Sequence, residues 1–336
     1  MSFLSKPLAQ AVYQTLLNTQ SKNIRRILLH ARNFLLRFCN PIITAKFNGF
    51  TLTMPFAHAI FVIQKLYPRY DMRLHGIAEC VRNKHGKLAM IDVGANIGDT
   101  AVFTNIANAE YLLIEGEKSY ANLIHTNLAQ NFATPVYFTT SDDLTTSHGK
   151  SAKTGGGGTH FLLYNTFIGE SSNSNYRVDL QDGSGKLTLH EEDKSVQSIQ
   201  IRTLDSIITE SNFSPNFIKI DTDGFDFKVL RSGAQSIAKF KPTLYFEWSY
   251  QHLHDIGESA TSIFPLLAQW GYEQLLIFDN FGSPLCVLSS LDSKNLSLLM
   301  DYTRDSKQIH YFDVLAFHRD NDDCLQAYLA GYKSAC

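Results

Sequence analysis

Short apolar stretches alternate with longer amphipathic ones from Leu88 towards the C terminus. The short stretches have the length of buried strands, and the longer ones repeat apolar residues at helical spacing. This alternation predicts an α/β fold, with a doubly wound, mostly parallel sheet between two layers of helices. The predicted strands are residues 88–93, 111–114, 136–140, 217–220, 243–246, 274–278 and 311–317, and the predicted helices are residues 98–107, 119–131, 226–238 and 260–270. The long connection before the last strand favours an antiparallel edge.

Residues 1–87 follow a different pattern and are expected to form a small N-terminal module. Apolar residues near helical spacing, with arginines between them, predict a helix over residues 5–39. Two β-prone stretches flank an Asn-Gly pair at 48–49, so residues 42–54 are predicted to be a hairpin closed by a type I′ turn. Residues 57–85 are predicted to be mostly helical.

Residues 142–200 interrupt the main domain, which we place at residues 88–320. Clusters of glycine, serine and asparagine make this segment too polar for a core, so we predict an insertion of loops and hairpins. Because it follows a strand that borders the predicted binding edge, we expect residues 159–175 to help cover a substrate. The alternative is a surface excursion without a function. Residues 321–336 are expected to form a C-terminal tail.

The composition is that of an ordinary soluble globular protein, with 44% hydrophobic and 18% charged residues. Its five scattered cysteines include no Cys-x-x-Cys pair and form no disulfide framework. A reducing cytoplasm is the simplest setting for such a chain. No stretch approaches the roughly 20 apolar residues of a membrane span. We therefore expect a cytoplasmic protein.

Charge is divided unevenly along the chain. Nine basic residues and no acidic one precede Asp71, whereas the remainder carries 21 basic and 32 acidic residues. Basic amphipathic helices bind anionic lipid surfaces, so residues 22–37 are a candidate for peripheral contact with the inner face of a membrane. One alternative is a helix docked on the protein with its arginines in solvent. The other, a nucleic-acid contact, is disfavoured by the acidic remainder.

A glycine-containing turn follows the first strand of the predicted sheet. The strand ends near Asp92, and the turn then contains Gly94, Ala95, Asn96 and Gly98. Ligands of open parallel sheets bind outside the carboxyl ends of the strands. Glycine lets the backbone approach a ligand closely and adopt positive φ. We therefore expect these five residues to form a cofactor-binding loop.

Two carboxylates distinguish the cofactor classes that use such a turn. Dinucleotide enzymes use Gly-x-Gly-x-x-Gly, with pyrophosphate on a helix N terminus, whereas this turn is Gly-x-x-x-Gly. Asp92 would repel a pyrophosphate but suits the methionine ammonium of S-adenosylmethionine, directly or through water. Glu115 ends the second strand, where it can accept both ribose hydroxyls. Ser141 and Asp142 follow the third strand, where we expect the adenine.

Two blocks of sequence resemble the FkbM-type methyltransferases. The first is Ile-Asp-Val-Gly-Ala-Asn-Ile-Gly-Asp-Thr, at residues 91–100. The second has residues 203–205, residues 217–226, Pro242 and Glu247 in the order of that family's Thr-Leu-Asp, Lys-Ile-Asp-x-Glu-Gly and Pro-x-x-x-x-Glu motifs. The resemblance implies a class I S-adenosylmethionine-dependent methyltransferase with a Rossmann-like fold. Known members mostly methylate hydroxyls of sugars, glycolipid or polysaccharide precursors and polyketides, which implies an O-methyltransferase.

The sequence departs from the family pattern at two places. The family's Glu-Gly-x-Glu is Asp223-Gly224-Phe225-Asp226 here, which keeps the charges but shortens their reach. The proline that usually follows the acid of the second strand is Gly116. Neither departure removes a needed carboxylate. The family pattern covers the first 85 residues and the insertion poorly, so its substrates do not transfer to this chain.

Methyl transfer to a hydroxyl requires alignment of the nucleophile with the methyl group, and a base for the hydroxyl proton. Candidate bases follow the fourth and fifth predicted strands. Histidine titrates near neutrality, so His252 is the first candidate, ahead of Asp221 and Glu247. His254 is close in sequence. Asp221 is equally a candidate for orienting the cofactor.

Three alternatives remain open at this stage. Asp221, Asp223 and Asp226 are a weaker candidate for a Mg²⁺ site, because nothing in the sequence supplies further ligands. A protein that keeps the fold and binds S-adenosylmethionine without catalysis is a second alternative. A dinucleotide-dependent oxidoreductase is the third, disfavoured by the spacing of the turn. Lys219 is assigned no role; it either faces away from Asp221 or pairs with a carboxylate.

Overall fold

Four helices and a hairpin precede the main sheet in the structure, a computed structural model that describes residues 2–141, 158–170, 176–181, 184–189 and 201–333. In chain order they are α1 (Ser2–Asn18), α2 (Lys22–Leu36), β1 (Ile42–Phe47), β2 (Phe50–Pro55), α3 (Ile60–Leu66) and α4 (Arg73–His85). The single helix predicted over residues 5–39 is wrong, because Ser21 starts a new helix by accepting the amide hydrogen of Ile24. The predicted hairpin is confirmed, and both residues of its Asn-Gly turn have positive φ.

Thirteen further strands follow within the described residues. They are β3 (Ala89–Val93), β4 (Glu110–Ile114), β5 (Val136–Thr140), β6 (Thr159–Tyr164), β7 (Phe167–Ile168), β8 (Tyr176–Gln181), β9 (Ser184–Leu189), β10 (Ile201–Arg202), β11 (Phe217–Ile220), β12 (Thr243–Trp248), β13 (Gln274–Asp279), β14 (Pro284–Ser289) and β15 (Phe312–Phe317). Nine of them form one sheet in the order β14-β13-β15-β12-β11-β3-β4-β6-β5. Pairs β7–β10 and β8–β9 stand apart as small sheets.

The sheet is parallel from β12 to β5, whereas β15 runs antiparallel to both β12 and β13, and β14 antiparallel to β13. The predicted doubly wound, mostly parallel fold is confirmed. The antiparallel part lies at one end of the sheet and includes β14, a strand that was not predicted.

Helices cover both faces of this sheet. They are α5 (Asp99–Thr104), α6 (Lys118–Asn131), α7 (Leu204–Ser211), α8 (Asp226–Ser232), α9 (Ala234–Phe240), α10 (Tyr250–Asp255), α11 (Phe264–Gln269), α12 (Ser293–Asp305) and α13 (Asp322–Lys333). Glu117 caps α6 by accepting the amide hydrogen of Ser119. The predicted C-terminal tail is largely α13, whose Leu325 is fully buried.

Strand β6 corrects the predicted limits of the insertion. It lies between β4 and β5 and runs parallel to both, and its Phe161 and Leu163 are buried in the core. Residues 159–164 are therefore part of the sheet rather than a covering loop. Residues 142–157, 171–175 and 190–200 lie outside the described residues, so most of the predicted insertion remains a prediction.

The N-terminal module shares one hydrophobic core with the main domain, across the boundary predicted at residue 87. Tyr13 of α1 and Met54 of β2 belong to the same buried cluster as Phe103 of α5 and Ile124 of α6. A second cluster fills the opposite face of the sheet, beneath α7 to α12. The hairpin and α1 therefore support the helices that carry the predicted cofactor loop.

Asn127 makes the central polar contact of this shared core. Its amide oxygen accepts the Thr53 amide hydrogen at 2.7 Å, and its amide nitrogen donates to the carbonyls of Thr53 and Ile97 at 3.0 and 2.8 Å. The side chain is fully buried. One residue of α6 thus joins the hairpin to the loop that follows β3.

Replacing Asn127 by alanine is expected to lower the free energy of unfolding by about 2–4 kcal/mol, because it leaves buried backbone groups of Thr53 and Ile97 without a partner. The measurement is the urea midpoint and slope of the purified variant. Asn122→Ala, on the exposed side of the same helix, is the matched control and should change stability by less than about 0.5 kcal/mol. Equal midpoints for the two variants would contradict this role of Asn127.

Candidate functional site

A cavity opens at the carboxyl ends of β3, β4 and β11, the edge at which ligands of such sheets bind. Its lining consists of Val93, Gly94, Asn96, Ile114, Glu115, Gly116, Thr166, Phe167, Ile168, Asp221, Thr222, Asp223 and Phe225. Gly94, Asn96, Glu115 and Asp221 were predicted from the sequence as cofactor residues. The structure therefore brings the glycine turn, the acid of the second strand and the acid of the fourth strand to one place.

Gly94 lets two strands approach each other at this edge. Its φ is 79°, and a Cβ atom at this position would overlap the carbonyl oxygen of Asp221. The amide hydrogens of Gly94 and Ala95 are both donated to the carbonyl of Ile114, at 3.0 Å. Ala95 is buried and does not line the cavity, while Gly98 precedes α5 with a φ of 82°. Ala95 and Gly98 therefore shape the turn.

Glu115 is held in place by the backbone on both sides. Its two carboxylate oxygens accept the amide hydrogens of Asn96 at 2.8 Å and of Glu117 at 2.7 Å. Burial raises the pKa of Glu115 to about 7, although these two amides lower it. Each carboxylate oxygen has a second lone pair. Glu115 can therefore accept ligand hydroxyls without giving up the bonds that orient it.

Asp92 lies behind the cavity, not in its lining. It is fully buried, and its Oδ1 lies 3.2 Å from Nζ of Lys219, its neighbour across the β3–β11 register. Burial raises the pKa of Asp92 to about 6, although Lys219 lowers it. A lysine of the adjacent strand lies against its charged end, so the expected contact of Asp92 with a ligand ammonium, directly or through water, stays a prediction.

Lys219 is the functional residue that the sequence did not identify. Its Nζ also lies 3.4 Å from Oδ2 of Asp221, whose side chain is 52% exposed. Burial lowers the pKa of Lys219, but Asp92, Asp221 and further carboxylates outweigh it and raise that pKa. The spacing of Lys219 and Asp221, two residues apart at a strand end, placed both side chains on one face and was the available signal.

More negative charge surrounds Lys219 than this one lysine can neutralise. Asp71, in the connection between α3 and α4, and Asp99, at the start of α5, also act on its pKa. Burial and neighbouring carboxylates raise the pKa of Asp71 well above its ordinary range. This edge of the sheet therefore favours a cationic ligand over an anionic one such as a pyrophosphate.

Part of the cavity lining comes from residues that the sequence did not predict for the site. They follow β6 and are Thr166, Phe167 and Ile168. The ring of Phe167 packs on Gly116, where a Cβ atom would overlap it. Phe167 thus occupies the space that the family's proline would need. Ser141 follows β5 and is absent from the lining, because β6 separates β5 from β4. The premise for placing Ser141 at the adenine is therefore wrong, and Asp142 lies outside the described residues.

The candidate bases Glu247 and His252 form a pair next to the cavity. Nδ1 of His252 lies 2.7 Å from Oε1 of Glu247, a residue that is 8% exposed. Burial, followed by the charges of nearby aspartates, raises the pKa of Glu247 well above its ordinary range. The backbone of His252 packs closely on Gly224, which follows the cavity residue Asp223. His254 instead stacks on Tyr250.

The side chain of Asp226 stabilises the loop after β11 through hydrogen bonds within that loop. Its Oδ2 accepts hydrogen bonds from the Thr222 hydroxyl and the Gly224 amide, both at 3.2 Å. Burial and the charge of Asp221 raise its pKa to about 7. Across the ranges that the structure describes, no three histidine, cysteine or acidic side chains are grouped to hold a metal ion.

Comparison with models of protein families yields a match that covers much of the chain. The model of the methyltransferase FkbM domain matches residues 92–273, which is more than half of the 336 residues. The match includes the turn after β3, the acid of β4, the strand that carries Lys219 and the Glu247–His252 pair. A comparison with curated proteins finds no match.

Solved methyltransferase structures are similar at low sequence identity. The methyltransferase FkbM from Methylobacillus flagellatus is 16% identical over 68% of this chain and 43% of that chain, with a TM-score of 0.34. The S-adenosylmethionine-dependent methyltransferase from Agrobacterium tumefaciens is 9% identical over 83% and 71%, with a TM-score of 0.41. Magnesium protoporphyrin IX methyltransferase from Synechocystis is 5% identical over 92% and 97%, with a TM-score of 0.36. The chain spans less than half of the first of these, and the assignment rests on the family match.

Gly94→Ala is expected to lower the free energy of unfolding by about 3 kcal/mol or more and to weaken binding of S-adenosylhomocysteine at least about tenfold. Gly257→Ala is the matched control, because Gly257 also has positive φ but a Cβ atom there meets open space. It should lose only the roughly 1 kcal/mol of a positive φ. Thermal unfolding and calorimetric titration measure both effects. Equal losses in the two variants would show that the close approach to Asp221 carries no energy.

Affinity for S-adenosylhomocysteine is expected to rise about tenfold between pH 5.5 and pH 8. The ligand-free pKa of Glu115 is about 7, and a ligand whose hydroxyls donate to the carboxylate binds its ionised form. Binding must therefore expel a proton at low pH but not at high pH. Calorimetry across this range should show the slope, and Glu115→Gln should weaken binding and flatten it. A variant with the wild-type slope would exclude Glu115 as its origin; Glu110→Gln, on the exposed start of β4, is the control.

Proposed function

This chain belongs to the FkbM methyltransferase family, and we propose that it is an O-methyltransferase acting on a sugar or on a lipid-linked glycan or polysaccharide precursor. The observation that carries the proposal is the Glu247–His252 pair, joined at 2.7 Å beside the candidate cofactor cavity. Such a pair can act as the base that removes a proton from a hydroxyl. A methyl acceptor that is already deprotonated would need none.

Charge at the cavity supports S-adenosylmethionine as the methyl donor. Its ammonium and sulfonium groups are cations, and the exposed Asp221 carboxylate lines the cavity in front of the Lys219 ion pair. Glu115 offers free lone pairs to the ribose hydroxyls. Phe167, packed flat over Gly116, offers an apolar wall for the adenine. Asp92 contributes indirectly in this proposal, by holding Lys219.

His252 takes the hydroxyl proton at Nε2. Its Nδ1 is bound to Glu247, and Nε2 makes no hydrogen bond within the part of the chain that the structure describes. An ionised Glu247 keeps the hydrogen on Nδ1 and leaves Nε2 free to accept, the arrangement used by other carboxylate–histidine bases. S-adenosylmethionine supplies the methyl group and the sulfur leaving group. The base form therefore requires that Glu247 has lost its proton.

The acceptor side is expected to be polar. The connection between α3 and α4 crosses the carboxyl edge of the sheet, where Tyr67 stacks on Phe281 with ring centroids 4.0 Å apart. Tyr70 and Tyr311 meet there through their hydroxyl groups at 3.4 Å, and Asp71 and Asp221 both act on the Tyr70 pKa. Hydroxyls and carboxylates at one edge are the groups that recognise a polyhydroxylated acceptor.

His252→Ala is expected to lower the rate of methyl transfer by on the order of 100-fold while the affinity for S-adenosylhomocysteine stays within about twofold. The measurement uses tritiated S-adenosylmethionine with nucleotide-sugar and glycolipid fractions as acceptors. His254→Ala is the matched control on the same helix. Because the pKa of Glu247 is raised, wild-type kcat/KM should increase with pH, and this rising limb should lie at a pH above the ordinary pKa range of glutamate. Glu247→Gln should shift or remove that limb.

Full activity of His252→Ala would move the base to Asp221 or Glu247. A label transferred to nitrogen rather than oxygen, established by alkali treatment and mass spectrometry of the product, would overturn the O-methyltransferase proposal. Tight binding of S-adenosylhomocysteine without transfer to any fraction would favour a non-catalytic binding protein. Calorimetric binding of NAD in its place would favour the oxidoreductase.

A further inference from the structure

The outward face of α2 carries apolar side chains where a helix of a monomeric protein is usually polar. Ile24, Ile27, Phe34 and Phe38 are 49%, 66%, 58% and 73% exposed. Ile24, Ile27 and Phe34 lie on one side of the helix at intervals of three and seven residues, and Phe38 lies in the turn just after its end. We call these four residues the α2 stripe. We propose that the α2 stripe inserts into the surface of an anionic lipid bilayer.

A neighbouring side of α2 fixes the helix on the protein. Arg32 is 8% exposed, donates to the Ala57 carbonyl and lies over the ring of Phe56 at 5.8 Å. Leu28 and Leu35 pack against the shared hydrophobic core. The stripe is therefore held outward by a docked helix. Arg32 is therefore not available to lipids, although it lies within the segment 22–37 that the sequence makes a candidate for membrane contact.

The charges around the stripe fit anionic headgroups. Lys22, Arg26 and Arg37 are exposed on the same helix, and no acidic residue occurs before Asp71. Apolar side chains at the acyl boundary with basic residues at headgroup level are the arrangement of helices that lie in a membrane interface. A second copy of this chain would bring two basic faces together, so the charges oppose self-association through this surface.

The dimensions fit a helix that lies flat on the bilayer. From Ile24 to Phe34 the stripe extends about 15 Å at the rise of an α-helix, and Phe38 follows just beyond the end of the helix. Among the helices in the described ranges, none has the length and apolar content needed to cross a membrane. The rings of Phe34 and Phe38 touch edge to face, with centroids 5.2 Å apart, and form the broadest apolar end of the stripe.

Two contacts connect this surface with the cofactor loop. Arg32 binds the carbonyl of Ala57, and the next residue, His58, is buried and hydrogen bonded to the side chain of Asn96 in the loop. A bilayer bound at α2 would therefore lie near the site. Delivery of a lipid-linked acceptor by this route rests on the proposed function, whereas binding of vesicles does not.

The test is co-sedimentation of the full chain with vesicles of phosphatidylcholine alone or mixed with phosphatidylglycerol. Wild-type protein should bind only the anionic vesicles, and salt should weaken the binding. Phe34→Ser combined with Phe38→Ser should lower the partition coefficient by on the order of 100-fold, since two aromatic side chains that would be buried in the bilayer are lost. Arg26→Glu combined with Arg37→Glu should abolish binding. Calorimetry with S-adenosylhomocysteine should give wild-type affinity for every variant, which separates this test from the proposed function.

Matched controls lie on the other side of the molecule. Leu291→Ser with Leu298→Ser removes two side chains that are 67% and 54% exposed, and Lys294→Glu with Lys307→Glu reverses two exposed lysines. Both should bind vesicles like the wild type. Wild-type binding by the phenylalanine variant would overturn insertion of the stripe. Absence of binding to anionic vesicles would overturn the proposal as well, and sedimentation velocity would then show whether the stripe holds a second copy.

Discussion

Three charged side chains meet beneath the carboxyl edge of the sheet, where Lys219 lies 3.2 Å from Asp92 on β3 and 3.4 Å from Asp221 at the end of its own strand. A buried carboxylate without a partner costs several kcal/mol, so Asp92 depends on this lysine to remain charged. Lys219 also approaches the Gly94 carbonyl at 3.5 Å. One cation thus fixes the two central strands and the turn that follows β3 in a single arrangement.

The cavity follows from that arrangement. With β3 and β11 held together, the Gly94 backbone packs against the carbonyl of Asp221, and only a residue without a side chain fits there. Asp221 turns outward into the cavity, while Asp92 stays behind it. The carboxylates of Asp71 and Asp99 add negative charge around Lys219, and this one lysine does not balance it. A cationic cofactor supplies the balancing positive charge, which is a physical reason for a sulfonium and ammonium ligand at this edge.

The N-terminal module supports the same edge from outside the main domain. Asn127 ties the hairpin to Ile97 of the glycine turn, and His58 contacts Asn96 in the same turn. The connection that holds Tyr70 and Asp71 crosses the edge further along, towards β15. The module therefore supports the glycine turn at the site without lining the cavity itself.

The sequence by itself determined the parts that depend on local pattern. Alternating apolar stretches established the parallel sheet, the glycine turn with Asp92 and Glu115 established the cofactor edge, and an Asn-Gly pair established the hairpin. These features are encoded within a few consecutive residues. The same is true of the basic, acid-free composition of the first 70 residues.

Only the tertiary structure decided which segments become neighbours. It placed β6 between β4 and β5, so that Phe167 rather than Ser141 reached the cavity, and it put Lys219 against Asp92. It buried Arg32 of a basic helix and paired His252 with Glu247. Each of these outcomes is a contact between segments whose own patterns are compatible with several partners. Burial and charge pairing across the sheet select among those partners. The selection depends on the free energy of the whole fold, which cannot be deduced from any single stretch of sequence.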